Sequence, residues 1–228
     1  MPVPVHARLS ASVIGAAAFI AAFHASTPAQ SPSPAPAGNC VAIGSPKPTQ
    51  SFTYRYADKS SAAEYTNRWV QFTPTGSELV TTRVGVGQST YTSKHKVVDD
   101  VFVLEASAAS GTDGGGGFTN TATYTPGTIG DPAYRACEGK SWTVPSVNAT
   151  ITSMQGSFST KTDRGTLVIV KIHESVTVPA GTFDTVHYVK TMGPVVDDFW
   201  KSIEHGVTVK RNSRQPLSIA TEVLASIR

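Results

Sequence analysis

Apolar and polar residues alternate along most of this chain, and the alternation is clearest in residues 166–189, TLVIVKIHESVTVPAGTFDTVHYV. Two runs rich in Val, Ile, Thr and aromatics flank Pro179, Ala180 and Gly181. That triplet has the chemistry of a three-residue hairpin loop, because proline presets φ at the first turn position and glycine takes the left-handed site that ends it. The pattern predicts a long β-hairpin. With Val178 and Thr182 flanking the loop, antiparallel pairing sets Val176 against Asp184, Glu174 against Val186, Ile172 against Tyr188, and His173 against His187. A slip of one residue would exchange the two faces. On this register Val168, Val170, Ile172, Val176, Val186, Tyr188 and Met192 form the core face. Lys171, His173, Ser175, Thr177, Thr185 and His187 form the solvated one.

The same period of two recurs through residues 40–228. Residues 51–57 alternate strictly, with Phe52, Tyr54 and Tyr56 on one face and Thr53 and Arg55 on the other, as a half-buried strand requires. Residues 64–72 and 78–86 follow across the turn-forming Thr73, Pro74, Thr75 and Gly76. Residues 88–96 and 101–106 flank Asp99 and Asp100 as a further hairpin. Residues 109–117, ASGTDGGGG, offer no side chains to pack and predict a mobile loop. Residues 118–125 alternate again with Thr119, Thr121, Thr123 and Thr125 as one polar stripe, and residues 126–132 read as a loop. Strands are expected at residues 141–144, 151–160, 199–203, 206–211 and 217–227. No helix-period pattern of ten or more residues appears in the mature chain, although the connections near Ala62 and Arg135 leave room for a few short helices. The expected fold is all-β: an antiparallel meander forming a curved half-barrel or a partly closed barrel, so that the sheet covers its own apolar face.

Composition changes the picture chiefly by fixing the compartment. Net charge is +3 and charged residues are 15% of the chain, below the roughly 25% of soluble domains. Nucleic-acid binding needs a clustered basic face, which this balance does not provide. Arg8, the apolar run at residues 11–23 and the small residues after it have the layout of a secretory signal peptide, with cleavage after Ala29. The run is too short to span a bilayer, and no later run approaches that length, so the mature chain is expected to lack a transmembrane segment. The Pro/Ser/Ala-rich residues 30–39 read as a tether, leaving residues 40–228 as a single β domain. Cys40 and Cys137 are the two cysteines, and in an oxidising compartment they are expected to pair. The residues before Cys40 lack the signature of a lipid-modified cysteine.

Glu174 to Phe183 (ESVTVPAGTF), then Phe199-Trp200, then Gly206, Val207, Thr208, Val209 and Lys210 resemble the corresponding pieces of a group of bacterial envelope proteins. The resemblance covers the C-terminal third. It implies an exported β-meander domain similar to the half-barrel of the lipoprotein-localisation factors, in which a curved antiparallel sheet encloses lipid. The shared VPAGTF segment is accounted for by its hairpin chemistry, so it speaks to fold. This chain departs from the group in its Gly-rich stretch and in residues 194–198.

Candidate chemistry is sparse. His173 and His187, opposed on the register above, would bring two imidazoles within reach of one metal, with a third ligand to come from His95, His205, Asp163 or Glu174, of which Glu174 points to the other face. Asp99-Asp100 and Asp197-Asp198 lack the spacing of a calcium loop and read as turn residues. The same pairs could serve as the acid and base of a glycosidase, a role that separation and pKa decide. No G-x-S-x-G or HExxH is present. The expectation is therefore a non-enzymatic periplasmic or secreted protein, without a cofactor, that binds a lipid-like apolar or amphipathic ligand on the concave face of its sheet. Phe52, Tyr54, Tyr56, Trp69 and Trp142 are the candidates for ligand contact. The alternative is a scaffold module that meets an envelope protein partner through strand edges and the Gly-rich stretch.

Overall fold

The computed structural model describes residues 39–59, 61–73, 75–84, 89–113 and 116–228. The expected signal segment and the tether through residue 38 lie outside the described residues. Sixteen strands are present and no helix occurs among the described residues, so Ala62 and Arg135 begin strands rather than helices. The first eight are β1 (Cys40–Ala42), β2 (Phe52–Ala57), β3 (Ala62–Thr73), β4 (Gly76–Val84), β5 (Ser89–Val98), β6 (Val101–Asp113), β7 (Gly116–Pro132) and β8 (Arg135–Cys137). The rest are β9 (Ser141–Val144), β10 (Asn148–Ser153), β11 (Gly156–Lys161), β12 (Gly165–Val178), β13 (Gly181–Met192), β14 (Val195–Ser202), β15 (Thr208–Gln215) and β16 (Ser218–Ile227).

Fourteen strands form one antiparallel sheet in the order β11-β10-β7-β6-β5-β4-β3-β2-β16-β15-β14-β13-β12-β9. Most neighbours in this order are also consecutive in sequence, which is the meander that short turns dictate. The ladder of β2 with β16 is the exception that joins the beginning of the domain to its end. Because β11 and β9 are free edges, the sheet does not close into a barrel. β1 and β8 pair separately, with Cys40 opposite Cys137, and the two cysteines form the expected disulfide. A disulfide points to an oxidising, extracytoplasmic environment.

Two buried clusters hold the sheet. One joins Val101 and Val103 of β6 to Leu167, Ile169 and Ile172 of β12 and to Val186 and Tyr188 of β13. The other joins Phe52 and Tyr54 of β2 to Val176, Val178, Val207, Val209 and Leu224. The Asp99-Asp100 turn is present, with both residues at positive φ (49° and 63°), as a two-residue turn between twisted strands demands. Lys140 binds both of its carboxylates, at 3.1 and 3.6 Å.

Three sequence expectations change. The expected loop at residues 109–117 is largely strand: Ala109 pairs with Asn120 and Gly111 with Phe118. Side chains are not needed there, because backbone hydrogen bonds from the adjoining strands carry the pairing. Residues 114–115 lie outside the described residues. Residues 126–132 likewise continue β7, with register shifts between Val101 and Val103 and between Leu104 and Ala106 of β6. Finally, the central hairpin is tighter than expected, with Val178 opposite Gly181 across a two-residue loop.

That hairpin also slips twice, between Ile169 and Lys171 and between Lys171 and Glu174. Each slip adds one residue to β12 and changes the face that the following residues present. Val168 and Val170 therefore leave the expected core face, where Leu167 and Ile169 take their place; Val170 is 50% exposed and Leu167 fully buried. Ile172, Val176, Val186 and Tyr188 are buried as expected. Met192 is only partly buried, and Thr185, expected in solvent, is buried with its hydroxyl donating to Glu174 O at 2.6 Å.

Two outcomes are expected from this arrangement. Replacing Leu167 by Ala should cost about 3 kcal/mol, whereas Val170→Ala should stay within about 0.5 kcal/mol, both read from urea unfolding. The disulfide closes a separation of 97 residues, so Cys40→Ser with Cys137→Ser should lower stability by about 4 to 5 kcal/mol on a chain-entropy basis, seen as a fall in the urea midpoint.

Candidate functional site

Alternation aligns one face of β13 to β16 into rows. One row runs Lys190, Asp197, Ser213, Ala220; the next runs Tyr188, Phe199, Arg211, Glu222, and continues to Tyr56 of β2. Lys201 stands on the same face of β14 as Asp197 and Phe199, by the two-residue period. A sheet face that elsewhere buries Val and Leu thus carries cations and carboxylates side by side.

These charges are paired or bonded as burial demands. Arg211 Nη2 donates to Asp197 Oδ2 at 2.9 Å, and its guanidinium lies 5.3 Å from the centre of the Phe199 ring. Lys201, 2% exposed, donates to Pro132 O at 2.6 Å and sits 5.1 Å from the centre of the Phe102 ring. Lys190 donates to Ile129 O. Both lysines therefore reach from β13 and β14 to backbone carbonyls of β7. Aromatic stacks complete the layer: Tyr188 on Phe199 at 4.9 Å and Tyr54 on Tyr65 at 5.2 Å.

Above this layer lies a cavity of about 310 Å³, at the small end of ligand pockets. Its walls include Tyr65, Trp69, Phe72, Tyr91 and Phe102, while Asp131, Lys201, Arg211 and Glu222 supply charge. A second cavity of about 220 Å³ is lined by Tyr56, Ser213, Gln215, Ala220 and Thr221, and also by Arg211 and Glu222. Arg211 and Glu222, cross-strand neighbours, therefore border both.

Burial governs the titration of these groups. It pushes the Glu222 carboxyl up, aided by the nearby Asp131 and Asp197 charges and opposed by the Tyr65 hydrogen bond and Arg211. Burial lowers Lys201 to about 8, with Asp131 opposing, and lowers Lys190 and His95 as well. The hydroxyls of Tyr54, Tyr65 and Tyr188 are raised, first by burial and then by neighbouring carboxylates. At neutral pH the site thus presents neutral tyrosine hydroxyls beside charged lysine and arginine.

The five aromatic candidates from the sequence separate. Tyr54 and Trp69 line the larger cavity and Tyr56 the smaller. Phe52 is fully buried and meets Trp69 edge-on at 5.5 Å. Trp142 lines neither; it packs in the β6–β12 cluster, and its indole N–H donates to Asp99 O and Oδ2 at 3.1 and 2.9 Å.

His173 and His187 do not oppose one another. The two-residue loop and the slip between Lys171 and Glu174 together set Lys171 against His187, and His173 adopts a positive φ of 55° in that slip. His173 Nδ1 instead meets Asp184 Oδ2 at 2.8 Å. His187 stacks on Trp200 at 4.5 Å; its Nδ1 lies 3.4 Å from Glu174 Oε2 and its Nε2 3.2 Å from Asp198 Oδ1. Trp200 Nε1 donates to Glu174 Oε1 at 2.9 Å. The acids flank the imidazole on opposite sides. Among the described residues no group of three or more His, Cys, Asp or Glu is arranged to hold a metal. Asp197 and Asp198, read from sequence as turn residues, stand in β14 on opposite faces, Asp197 with Arg211 and Asp198 with Arg214.

Sequence reading missed Asp131, Lys190, Asp197, Lys201, Arg211 and Glu222. A signal was available in β16, where Ala220, Glu222 and Leu224 share one face and the acid interrupts an otherwise apolar stripe.

Compared with protein-family models, with curated proteins and with solved structures, the chain matches none.

A pH dependence follows. Between about pH 8 and 10 the folded chain has released the Lys201 proton while the unfolded chain keeps it, so stability rises with pH across that window. The gain should be on the order of 2 to 3 kcal/mol, with Lys190 adding in the same direction, until the tyrosines reverse the trend above pH 10. Urea unfolding at pH 7, 8, 9 and 10 should show this rise in the wild type and a much flatter profile in Lys201→Met.

Proposed function

We propose that this chain is an exported, non-enzymatic envelope protein that binds an amphipathic ligand on the inner face of its sheet, with the apolar part of the ligand against the aromatic walls and its polar end on the charged layer. The sheet would act as a half-barrel support in that role. One observation carries the reading: a single cavity combines Tyr65, Trp69, Phe72, Tyr91 and Phe102 with Asp131, Lys201, Arg211 and Glu222. A purely apolar ligand would leave those charges facing hydrocarbon, which is costly; a purely polar one would leave the rings unused. The aromatic candidates Tyr54 and Trp69 fall in this site, and the disulfide accords with export.

A second reading, a scaffold module, has its own observation. All six residues of β11 are exposed, and among the described residues no strand lies beside its outer edge. Met154 (79%) and Phe158 (58%) add exposed apolar surface at the same edge. Unpaired strand edges accept partner strands.

Native mass spectrometry of the exported protein, followed by organic extraction, separates the two. The expected result is a co-purified amphiphile released on denaturation, with Trp69→Ala lowering its affinity roughly tenfold. A clean unliganded mass from every preparation, with no uptake of added amphiphiles, would remove the carrier reading. A concentration-dependent assembly lost on replacing Phe158 by Lys would favour the scaffold.

A further inference from the structure

The smaller cavity, beyond Arg211 and Glu222, holds the most exacting chemistry in the molecule. Ser213 is 4% exposed and lines it, and its Oγ has no hydrogen-bond partner. Directly opposite in the ladder stands Asp197, 9% exposed, whose Oδ2 takes Arg211 while its Oδ1 has no partner. Arg211 Nε is the third unpartnered atom. Leaving such groups unpaired is unfavourable. Arg211 and Ser213 line this cavity, and Asp197 stands behind them, bonded to Arg211 and opposite Ser213 in the ladder: a donor on Arg211, and Ser213, which can donate or accept.

The charge balance narrows what could satisfy them. Among the residues lining the two cavities, Lys201 and Arg211 stand against Asp131 and Glu222, so basic and acidic side chains are equal in number. An ionic ligand head would bring an uncompensated charge into a desolvated layer that is already neutral, at a cost that burial makes large. A neutral group that donates and accepts at neighbouring atoms has no such cost. Adjacent hydroxyls do this, since each offers one hydrogen and two lone pairs. The aromatic walls of the larger cavity are compatible with the C–H faces of a sugar ring as well as with an alkyl chain.

We infer that the polar end of the ligand is an uncharged polyol or sugar, seated in the smaller cavity at Arg211, Ser213 and Glu222, the first and last of which also line the larger one. The inference rests on the amphiphile-binding reading above and specifies its head group. Ser213 and Glu222 are the specificity-determining residues: a site that hydrogen-bonds a ligand hydroxyl discriminates strongly against an analogue lacking it.

The test uses the full disulfide-bonded chain and four ligands that share one alkyl tail: octyl glucoside, octanoate, octylamine and 1-octanol. Each is titrated calorimetrically below its micelle concentration at pH 7. The glucoside should bind at least roughly tenfold more tightly than either charged amphiphile, and Ser213→Ala should narrow that preference several-fold while leaving 1-octanol binding unchanged. Because a small serine-to-alanine change is compatible with folding, its thermal midpoint serves as the control; Glu222→Gln provides a second variant that should also weaken the glucoside selectively. Equal affinities for all heads, a charged head preferred, or a glucoside preference indifferent to both variants would overturn the inference and leave the amphiphile reading standing. Failure of all four ligands to bind would overturn both.

Discussion

The hydrogen bond from buried Lys201 to the Pro132 carbonyl is the contact on which the cavity depends. β14 and β7 are distant in the strand order, and nothing in the backbone ladder brings them together. To the packing of β6 on β12 and β13, Lys201 and Lys190 add a polar connection through side chains long enough to cross the interval. Desolvating an ammonium is expensive, and the depressed proton affinity of Lys201 records the expense. The Phe102 ring and the nearby Asp131 charge recover part of it. β10 pairs with β7 only over residues 120–125, so the last part of β7 has a ladder on one side only.

Much of the fold could be read from alternation alone, because a period of two is enforced by backbone geometry wherever one face is buried. Residues 51–57, the Asp99-Asp100 turn and the hairpin around Pro179 were all legible for that reason, as was the disulfide, which the two cysteines leave little choice about. Alternation cannot announce a bulge. The extra residues in β12 are chemically ordinary, yet they exchange Val168 and Val170 for Leu167 and Ile169 in the core and part His173 from His187. The Gly-rich residues 109–117 failed in the opposite way: lacking side chains, they carried no pattern, although their backbone pairs like any other strand.

The site was less legible than the fold. Its aromatic members stand in alternating segments and were visible as Tyr54 and Trp69. Its charged members come from β7, β13, β14, β15 and β16, and each looks solvent-facing in its own segment; only the cross-strand rows Lys190-Asp197-Ser213 and Tyr188-Phe199-Arg211-Glu222 show them to be neighbours. Cross-strand neighbours depend on register, which a single segment does not encode.

The ladder between β2 and β16 bears on how the chain acquires this structure. Nearly every other pairing in the large sheet joins strands close in sequence, so those hairpins can form as the polypeptide emerges. β2 has no such liberty on one side: it contributes Phe52 and Tyr54 to a core whose other members include Leu224, and its second partner is the last strand of the sequence. Assembly must therefore proceed with an unfinished seam, the early hairpins waiting while β12 to β16 are added, until the final strand arrives and both halves become one cooperative unit. A nascent or truncated chain lacking β16 would present that seam, with its aromatic lining, to whatever escorts it across a membrane.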